Sequence, residues 1–518
     1  MNRPRAAPSP AARQSKAPVK ADNLRGAKMS HTLQGTGARR RFGCEHILLL
    51  VFLLSLPLMN PWVRGDGVGY YSYVRALLID HNLRFEKDYR AANPSFRDSH
   101  VAESGEVRQQ FYTPTGRLDN HFSVGPAILW SPFLLLAHSG VLMARGLGST
   151  VAADGYSTPY RLAMALATAF YGFLGLWLSF RVAREYVAER WALLGTLGVW
   201  WASSFPVYAY FNPSWSHAHS AFACALFIWY WHRTREGRTL AQWLLLGLSA
   251  GLMINVYYLN AAFLLVPGIE GFGGYLRSWR GSPVASTPAR QLALRHALFI
   301  AAIGVALLPT WVTRLMIYGH PFESGYIPLR EWGWTRPALW DVLFSSDHGL
   351  LSWTPILLFA LAGMVLLWKK KPRVGGPLVA SALAFYYVVA AYPNWDGLSS
   401  YGNRFFVSLT PLFVLGLAMT LESFGRLFAR ERAALACASV ILALFIAWNL
   451  GFMFQWGMHL IPVRGPISWS EMARNQFQQV PRRVGVRFRD YLFHRGALMQ
   501  TIEERDLKQL KANPADAQ

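Results

Sequence analysis

The sequence predicts an all-α fold, a polytopic bundle of about eleven transmembrane helices of roughly 20 residues each. Of the 518 residues, 53% are hydrophobic and 15% are charged, and the mean hydropathy is +0.19. A soluble domain carries about 25% charged residues, so much of this chain must avoid water. Apolar runs long enough to cross a bilayer recur between residues 46 and 455. Composition and the recurrence of these runs together define the class.

Residues 1–45 form a basic segment ahead of the first apolar run. They are rich in Ala, Pro, Ser, Arg and Lys and show no apolar period, so we expect a disordered cytoplasmic tail. Arg39–Arg41 resemble a twin-arginine signal, but no cleavage site follows Leu58 and further apolar runs do. The formal net charge of +23 does not predict nucleic acid as a partner, because the basic residues lie in tails and short connections and form no nucleic-acid-binding motif.

The transmembrane domain is predicted over residues 46–455. The run 125–144 decides the predicted topology, because counting it as a span moves every later connection to the other side of the membrane. Leaving it out places nearly all dense basic connections on the side of the N-terminal tail, as the positive-inside rule requires, so we expect an interfacial or re-entrant helix there. The loop 64–159 and the C-terminal tail 456–518 then lie outside a bacterial plasma membrane. The predicted spans are 46–63, 160–183, 191–211, 217–232, 241–257, 259–276, 297–317, 350–368, 374–391, 404–425 and 433–455.

The predicted spans carry almost no charge at mid-depth, where transporters and pumps usually place ionisable sites. Polar residues collect instead at the outer span ends, with Tyr and Trp among them. Such a surface suits a bulky polar substrate carried by a lipid, and an ordinary aromatic belt with hydrated loops is the alternative. In the loop 64–159, apolar residues from Tyr70 to Leu78 repeat at helical spacing while Arg75 falls off the stripe, which predicts an interfacial amphipathic helix.

Four stretches of the chain carry a family resemblance. The run RGDGVGYY at 64–71 directly follows the first span, and NHFSVGPAILWSPF follows at 120–133. YGHPFESGY at 318–326 leads into SSDHGLLSWTP at 345–355, and NWDGLSSYGNRFFVSLTP occupies 394–411. In this order and spacing the chain resembles the GT-C superfamily of membrane glycosyltransferases, which includes protein O-mannosyltransferases and lipid A aminoarabinose transferases. The resemblance covers most of 46–425 and neither tail.

The resemblance implies an enzyme that takes a sugar from a polyprenyl-phosphate donor outside the membrane. In that superfamily an Asp of the first outer loop is the general base on the acceptor, and Asp66 occupies the matching position. Many members have a second acid next to it, where this chain has Gly67, and this departure speaks against metal binding, so we expect no metal or other cofactor. The chemistry agrees, because the acceptor must lose a proton to a base. The alternative is that Asp66 only caps a helix.

Cations must hold the departing phosphate of such a donor. We expect Arg404 to do so, with Lys87 or Arg90 as helpers, and the alternative is that Arg404 is an interfacial anchor. Polar and aromatic residues of the later outer loops are candidates for substrate binding, although some of them are equally explained as turn residues. These candidates are Asp347, His348, Trp395, Asp396, Tyr401 and Asn403.

The function predicted from the sequence is glycosyl transfer from a polyprenyl-phosphate-linked sugar to an extracytoplasmic acceptor, which is a glycan, a lipid or a protein. The expected partners are that donor and the membrane lipids. A flippase or transporter of lipid-linked saccharides, without bond cleavage, is the main alternative. A structural or binding subunit that has lost catalysis is a third.

Overall fold

The computed structural model describes residues 43–280 and 288–512 of the chain. In this described part the secondary structure is helical, without β-strands and with two isolated bridges, Val101–Val107 and Tyr112–Leu118. Seven of the described helices are long and apolar enough to cross a membrane. The predicted class, an all-α multi-pass membrane protein, is confirmed, while the count of about eleven spans stays a prediction. The predicted disordered tail, residues 1–45, lies almost wholly outside the described residues.

Five helices form the first apolar run and the loop that follows it. They are α1 (Cys44–Ser55), α2 (Asp66–Arg75), α3 (Glu86–Arg90), α4 (Pro94–His100) and α5 (Gly125–Gly146). Helix α5 covers the run 125–144 and is one of the seven helices whose length and composition allow a crossing. The expectation that it is interfacial or re-entrant therefore stays untested.

Twelve helices follow in the bundle, and most match a predicted span. They are α6 (Thr158–Ala183), α7 (Glu189–Trp201), α8 (His217–Thr234), α9 (Leu240–Val256), α10 (Leu265–Trp279), α11 (Ala289–Tyr318), α12 (Leu339–Phe344), α13 (Leu350–Trp353), α14 (Leu357–Lys370), α15 (Pro372–Ala391), α16 (Thr410–Gly425) and α17 (Glu431–Gly457). Helix α16 lies at the centre, in contact with α6, α7, α8, α14 and α17. Every residue from Thr410 to Met419 is buried, because this helix is apolar on all sides.

Two predicted spans are interrupted, and proline explains the second. The run 191–211 is helical only to Trp201, and a π-helix, Val207–Phe211, begins after Pro206. The run 350–368 divides into α13 and α14 at Thr354, whose φ of −131° and ψ of 68° are not helical. Pro355 follows, and a proline disfavours the helical conformation of the residue before it.

The predicted helix of the first loop forms as α2, but it is buried more deeply than an interfacial helix would be. Every residue from Gly67 to Arg75 is buried, including Arg75, which was expected to fall off the apolar stripe. Arg75 is paired with Asp80 and Asp88, at 2.5 and 3.3 Å. Arg314 of α11 fixes the next part of the loop by donating to the backbone oxygens of residues 120, 121 and 122.

The C-terminal segment, expected only as a tail, contains two helices. They are α18 (Trp469–Phe493) and α19 (Arg495–Ala512). Helix α18 packs on α17, and α19 packs on α4 of the first loop. Glu503 of α19 accepts hydrogen bonds from the Asn93 side chain and the Ser95 backbone, at 2.9 and 2.5 Å. The C-terminal segment is therefore joined to the first loop at the start of α4.

Candidate functional site

Asp66 is presented by a sharp turn before α2. Gly65 has φ 52° and ψ −133°, a conformation that favours glycine, and a Cβ atom added there would lie 3.4 Å from Trp215 Cζ2. Asp66 is the first residue of α2, where the helix dipole favours an ionised carboxylate. Gly65 occupies the N-cap position, and the Asp66 carboxylate accepts a hydrogen bond from Arg404, so the geometry does not show Asp66 as the N-cap residue.

The structure brings Asp66 and Arg404 together across 338 residues of sequence. Arg404 Nη1 donates to Asp66 Oδ2 at 2.5 Å, and the two side chains are 11% and 30% exposed. The guanidinium lies over the Trp215 ring, 4.6 Å from its centroid, which restricts its orientation. Within the described residues, Arg404 Nε has no hydrogen-bond partner. Arg404 therefore keeps donors that an incoming anion can use.

Gly67 explains why a second acid is missing beside Asp66. A Cβ atom at position 67 would lie 2.0 Å from Ser214 Oγ and 2.5 Å from Ser214 Cβ, closer than real atoms approach. The space that a second carboxylate would need is filled by the segment before α8. The site is thus built with one carboxylate and one guanidinium.

A cavity of about 690 Å³ opens beside this ion pair. Asp66, Arg404 and Trp215 line one part of it. Helices α17 and α18 contribute another part of its wall, which is apolar. The side chains of Leu450, Val484 and Phe488 in this part are 40–50% exposed. A charged end and a long apolar wall in one cavity suit an amphipathic ligand.

The predicted helper cations Lys87 and Arg90 do not reach this cavity. Lys87 is 66% exposed and pairs with Asp80 at 2.9 Å. Arg64, Arg464 and Arg487 line the cavity instead. Sequence analysis missed these three. Two of them belong to the C-terminal segment that the family resemblance does not cover, and the signal available was the density of arginine in 464–489.

The six predicted substrate-binding residues lie outside the described lining of this cavity. Tyr401 is a core residue, which is fully buried and donates to Asn449 Oδ1 at 2.8 Å. Asn403 is also buried, and its amide donates to the Trp395 backbone oxygen at 2.8 Å. These residues shape the loop that precedes Arg404.

The remaining three predicted residues form a separate cluster. One ligating atom each of Asp347, His348 and Asp396 lies within 4.8 Å of the others. Burial, together with the nearby Asp396 carboxylate, raises the pKa of Asp347 to about 6. Burial lowers the pKa of His348 to about 4, so its imidazole is neutral at physiological pH.

A second cavity, of about 610 Å³, lies between the first loop and α19. It shares Asn60, Trp62 and Met499 with the first cavity, so the two are neighbours. Three polar side chains that line it have buried atoms without a hydrogen-bond partner in the described structure. These atoms are Asn93 Oδ1, Arg161 Nε and Glu503 Oε2.

Comparisons with known proteins identify similar solved structures. No protein-family model matches the chain, and no curated protein matches it. The oligosaccharyltransferase of Archaeoglobus fulgidus, solved with Zn and sulfate, is 15% identical at a TM-score of 0.49, over 79% of this chain and 55% of that one. ArnT from Cupriavidus metallidurans, solved with undecaprenyl phosphate, is 13% identical at a TM-score of 0.42, over 84% and 74%.

Both of these proteins are GT-C glycosyltransferases, the class that the sequence motifs resemble. The chain spans little more than half the length of the oligosaccharyltransferase, 55% of it. Because both structures are below 16% identical and have TM-scores below 0.5, the site of this chain is interpreted from its own residues.

Proposed function

We propose that the chain is a glycosyltransferase that moves a sugar from a polyprenyl phosphate to a hydroxyl-bearing acceptor on the extracytoplasmic side of a bacterial plasma membrane. The observation that carries the proposal is the Asp66–Arg404 pair at the charged end of a cavity with an apolar wall. The apolar wall fits a lipid chain, and the guanidinium fits the phosphate that joins the lipid to the sugar.

The reaction needs one base and one anion-stabilising group. The acceptor oxygen attacks the anomeric carbon of the donor while its proton passes to Asp66. The bond between that carbon and the phosphate oxygen breaks, and the polyprenyl phosphate leaves with the bonding electrons. Arg404 stabilises the negative charge that develops on the phosphate. Because Asp66 and Arg404 pair at 2.5 Å in the free protein, both are held in place before the substrate arrives.

The acceptor is assigned to the second cavity. Its lining includes Val63 and Val68, which lie on either side of Asp66 along the chain, so an acceptor bound there lies beside the segment that carries the base. Unpartnered donor and acceptor atoms at Arg161, Asn93 and Glu503 suit the hydroxyl groups of a saccharide, each of which both donates and accepts.

The test uses the full chain in proteoliposomes with undecaprenyl phosphate carrying a radiolabelled sugar. Membranes of the source cells provide the acceptors. We expect label to move from the lipid fraction to a new product and undecaprenyl phosphate to be released. Movement of the intact labelled lipid between leaflets, with no bond cleavage, would contradict the proposal and identify a flippase.

A further inference from the structure

The cluster of Asp347, His348 and Asp396 joins two loops that are distant in sequence. Asp347 and His348 lie between α12 and α13, and Asp396 lies in the loop after α15. Their ligating atoms converge within 4.8 Å. His348 Nδ1 is 3.5 Å from Asp347 Oδ1 and 3.1 Å from the backbone oxygen of Asp396. Two carboxylates and an imidazole therefore meet at one point outside the transfer site.

Several polar atoms of this cluster are buried without a protein partner. His348 is fully buried, and its Nε2 makes no hydrogen bond in the described structure. Asp347 Oδ1 is likewise buried without a hydrogen-bond partner. His348 adopts φ 57°, a left-handed conformation that is uncommon outside glycine. Unsatisfied buried atoms and a strained backbone are costly unless a ligand compensates for them.

We propose that Asp347, His348 and Asp396 bind a divalent transition-metal ion of the Zn²⁺ or Mn²⁺ type. A neutral imidazole with two carboxylates is a ligand set that Zn²⁺ accepts, and carboxylate-rich sets also suit Mn²⁺. Zinc bonds of about 2.0–2.2 Å require ligand atoms roughly 3.5 Å apart, so the cluster contracts by about 1 Å on binding. Two carboxylates then balance the charge of the ion.

The ion would position Arg404 without taking part in the transfer. Asp396 precedes Gly397, and a Cβ atom on Gly397 would lie 3.2 Å from Arg404 Cγ, so this loop packs directly on the arginine side chain. Joining the loop to residues 345–349 restrains the backbone on which Arg404 depends. The inference does not rest on the proposed function, because metal binding is measured without substrate.

Arg464 provides the competing explanation for the cluster. Its charge acts on Asp347 and favours the ionised carboxylate, so a guanidinium in place of a metal ion would balance part of the negative charge. The two explanations differ in one measurable respect, which is whether added metal binds with a defined stoichiometry.

The test measures metal content of the full chain purified in detergent without chelators, by mass spectrometry, and titrates the chelator-treated protein with ZnCl₂ or MnCl₂ by calorimetry. We expect one ion per chain and a rise in Tm on binding. Asp347→Asn and Asp396→Asn keep the side-chain volumes, and each should weaken binding at least tenfold, since mutation around a metal commonly costs ten- to hundredfold in affinity.

His320→Ala is the matched control, because His320 is exposed and lies in the preceding connection, between α11 and α12. It should leave both stoichiometry and affinity unchanged. His348→Ala should abolish binding, and the two Asn variants decide the matter if that variant does not fold. Absence of binding in the parent protein, or equal binding in Asp396→Asn, would overturn the proposal in favour of Arg464 as counter-charge.

Discussion

Two ion pairs line the same cavity and differ in how completely they are bonded. In the Asp506–Arg64 pair, Oδ2 of the acid accepts from Arg64 at 2.6 Å and Oδ1 is 2.9 Å from His459 Nε2. In the Asp66–Arg404 pair, only Oδ2 of the acid has a protein donor among the described residues. The Asp506 side chain is 13% exposed and that of Asp66 is 30% exposed.

The difference separates a docking contact from the pair that we propose to be reactive. Burial raises the pKa of Asp506, but Arg64 and His459 outweigh burial and hold that pKa below its usual range. Asp506 is therefore a fixed anion that attaches α19 to the first loop. Asp66 retains an oxygen that can receive a proton, and Arg404 retains donors for a phosphate. An acid with one free oxygen beside a cavity is the better candidate for chemistry.

Substitution of Arg404, the cation of the reactive pair, should cause the largest loss of affinity for the donor. Arg404→Ala removes charge-assisted hydrogen bonds worth about 1.5–3 kcal/mol, so we expect donor affinity to fall roughly ten- to hundredfold. Arg404→Lys should recover only part of it, because lysine cannot form the two-pronged contact. Binding of undecaprenyl phosphate, measured by calorimetry in detergent, checks this. Unchanged affinity in Arg404→Ala would reduce Arg404 to an anchor.

Breaking the docking pair should loosen α19 without removing the base. Asp506→Asn leaves the Arg64 charge without its partner, at a cost of about 1.5–3 kcal/mol to the local contact. Hydrogen exchange of α19 should accelerate, and the KM for the donor should rise several-fold because α18 and α19 form part of the cavity wall. A variant with normal exchange in α19 would contradict the docking role.

The Asp506–Arg64 pair also predicts how the stability of the α19 contact depends on pH. The pKa of Asp506 is lowered in the folded state, so its contribution to stability is present above the unfolded value of about 3.9 and is lost as pH falls through the folded pKa. The protection factor of α19, which corrects for the pH dependence of intrinsic amide exchange, should therefore keep the Asp506 contribution at neutral pH and lose it only in acid. Asp506→Asn should lack that acid response.

An effect on the acceptor side is expected at the second cavity. Arg161 makes no ion pair or hydrogen bond in the described part of the chain, so Arg161→Met should fold normally. We expect transfer to the acceptor to slow about tenfold, the effect of one lost hydrogen bond to a charged group, while hydrolysis of the donor by water is retained. Equal loss of both activities would place Arg161 on the donor side.

Sequence analysis reached the helical class and the two residues of the reactive pair. The class followed from apolar runs such as 404–425, whose length and composition are local properties. Asp66 was identified by the family resemblance. Arg404 was identified because it begins a predicted span at the outer side and because the reaction requires a cation that binds phosphate. That the two residues touch was not predictable, because the contact joins positions 338 residues apart.

The C-terminal helices show where sequence analysis failed. Helix α18 is rich in arginine and lies outside the family resemblance, so 456–518 was assigned as a tail. Its apolar residues recur at helical spacing, which could have predicted an amphipathic helix here. They are Val480, Val484, Phe488 and Tyr491. Which cavity that apolar face lines is a tertiary property that the sequence does not show. Lys87 and Arg90 stay predicted helpers, and neither lines the first cavity. Proximity along the first loop suggested proximity to Asp66, but the fold directs Lys87 to Asp80.

The most direct test of the account is the rate of a single turnover in Asp66→Asn with labelled donor already bound. Asparagine has nearly the same shape and occupies the start of a helix as well as aspartate does, but it cannot accept the proton. We expect normal folding and donor binding, with transfer slowed by at least about 10²-fold. Asp98→Asn, an exposed acid of α4, is the control and should transfer at the parent rate. Near-normal transfer in Asp66→Asn, with loss of stability in Asp66→Ala, would contradict the account and make Asp66 a structural residue.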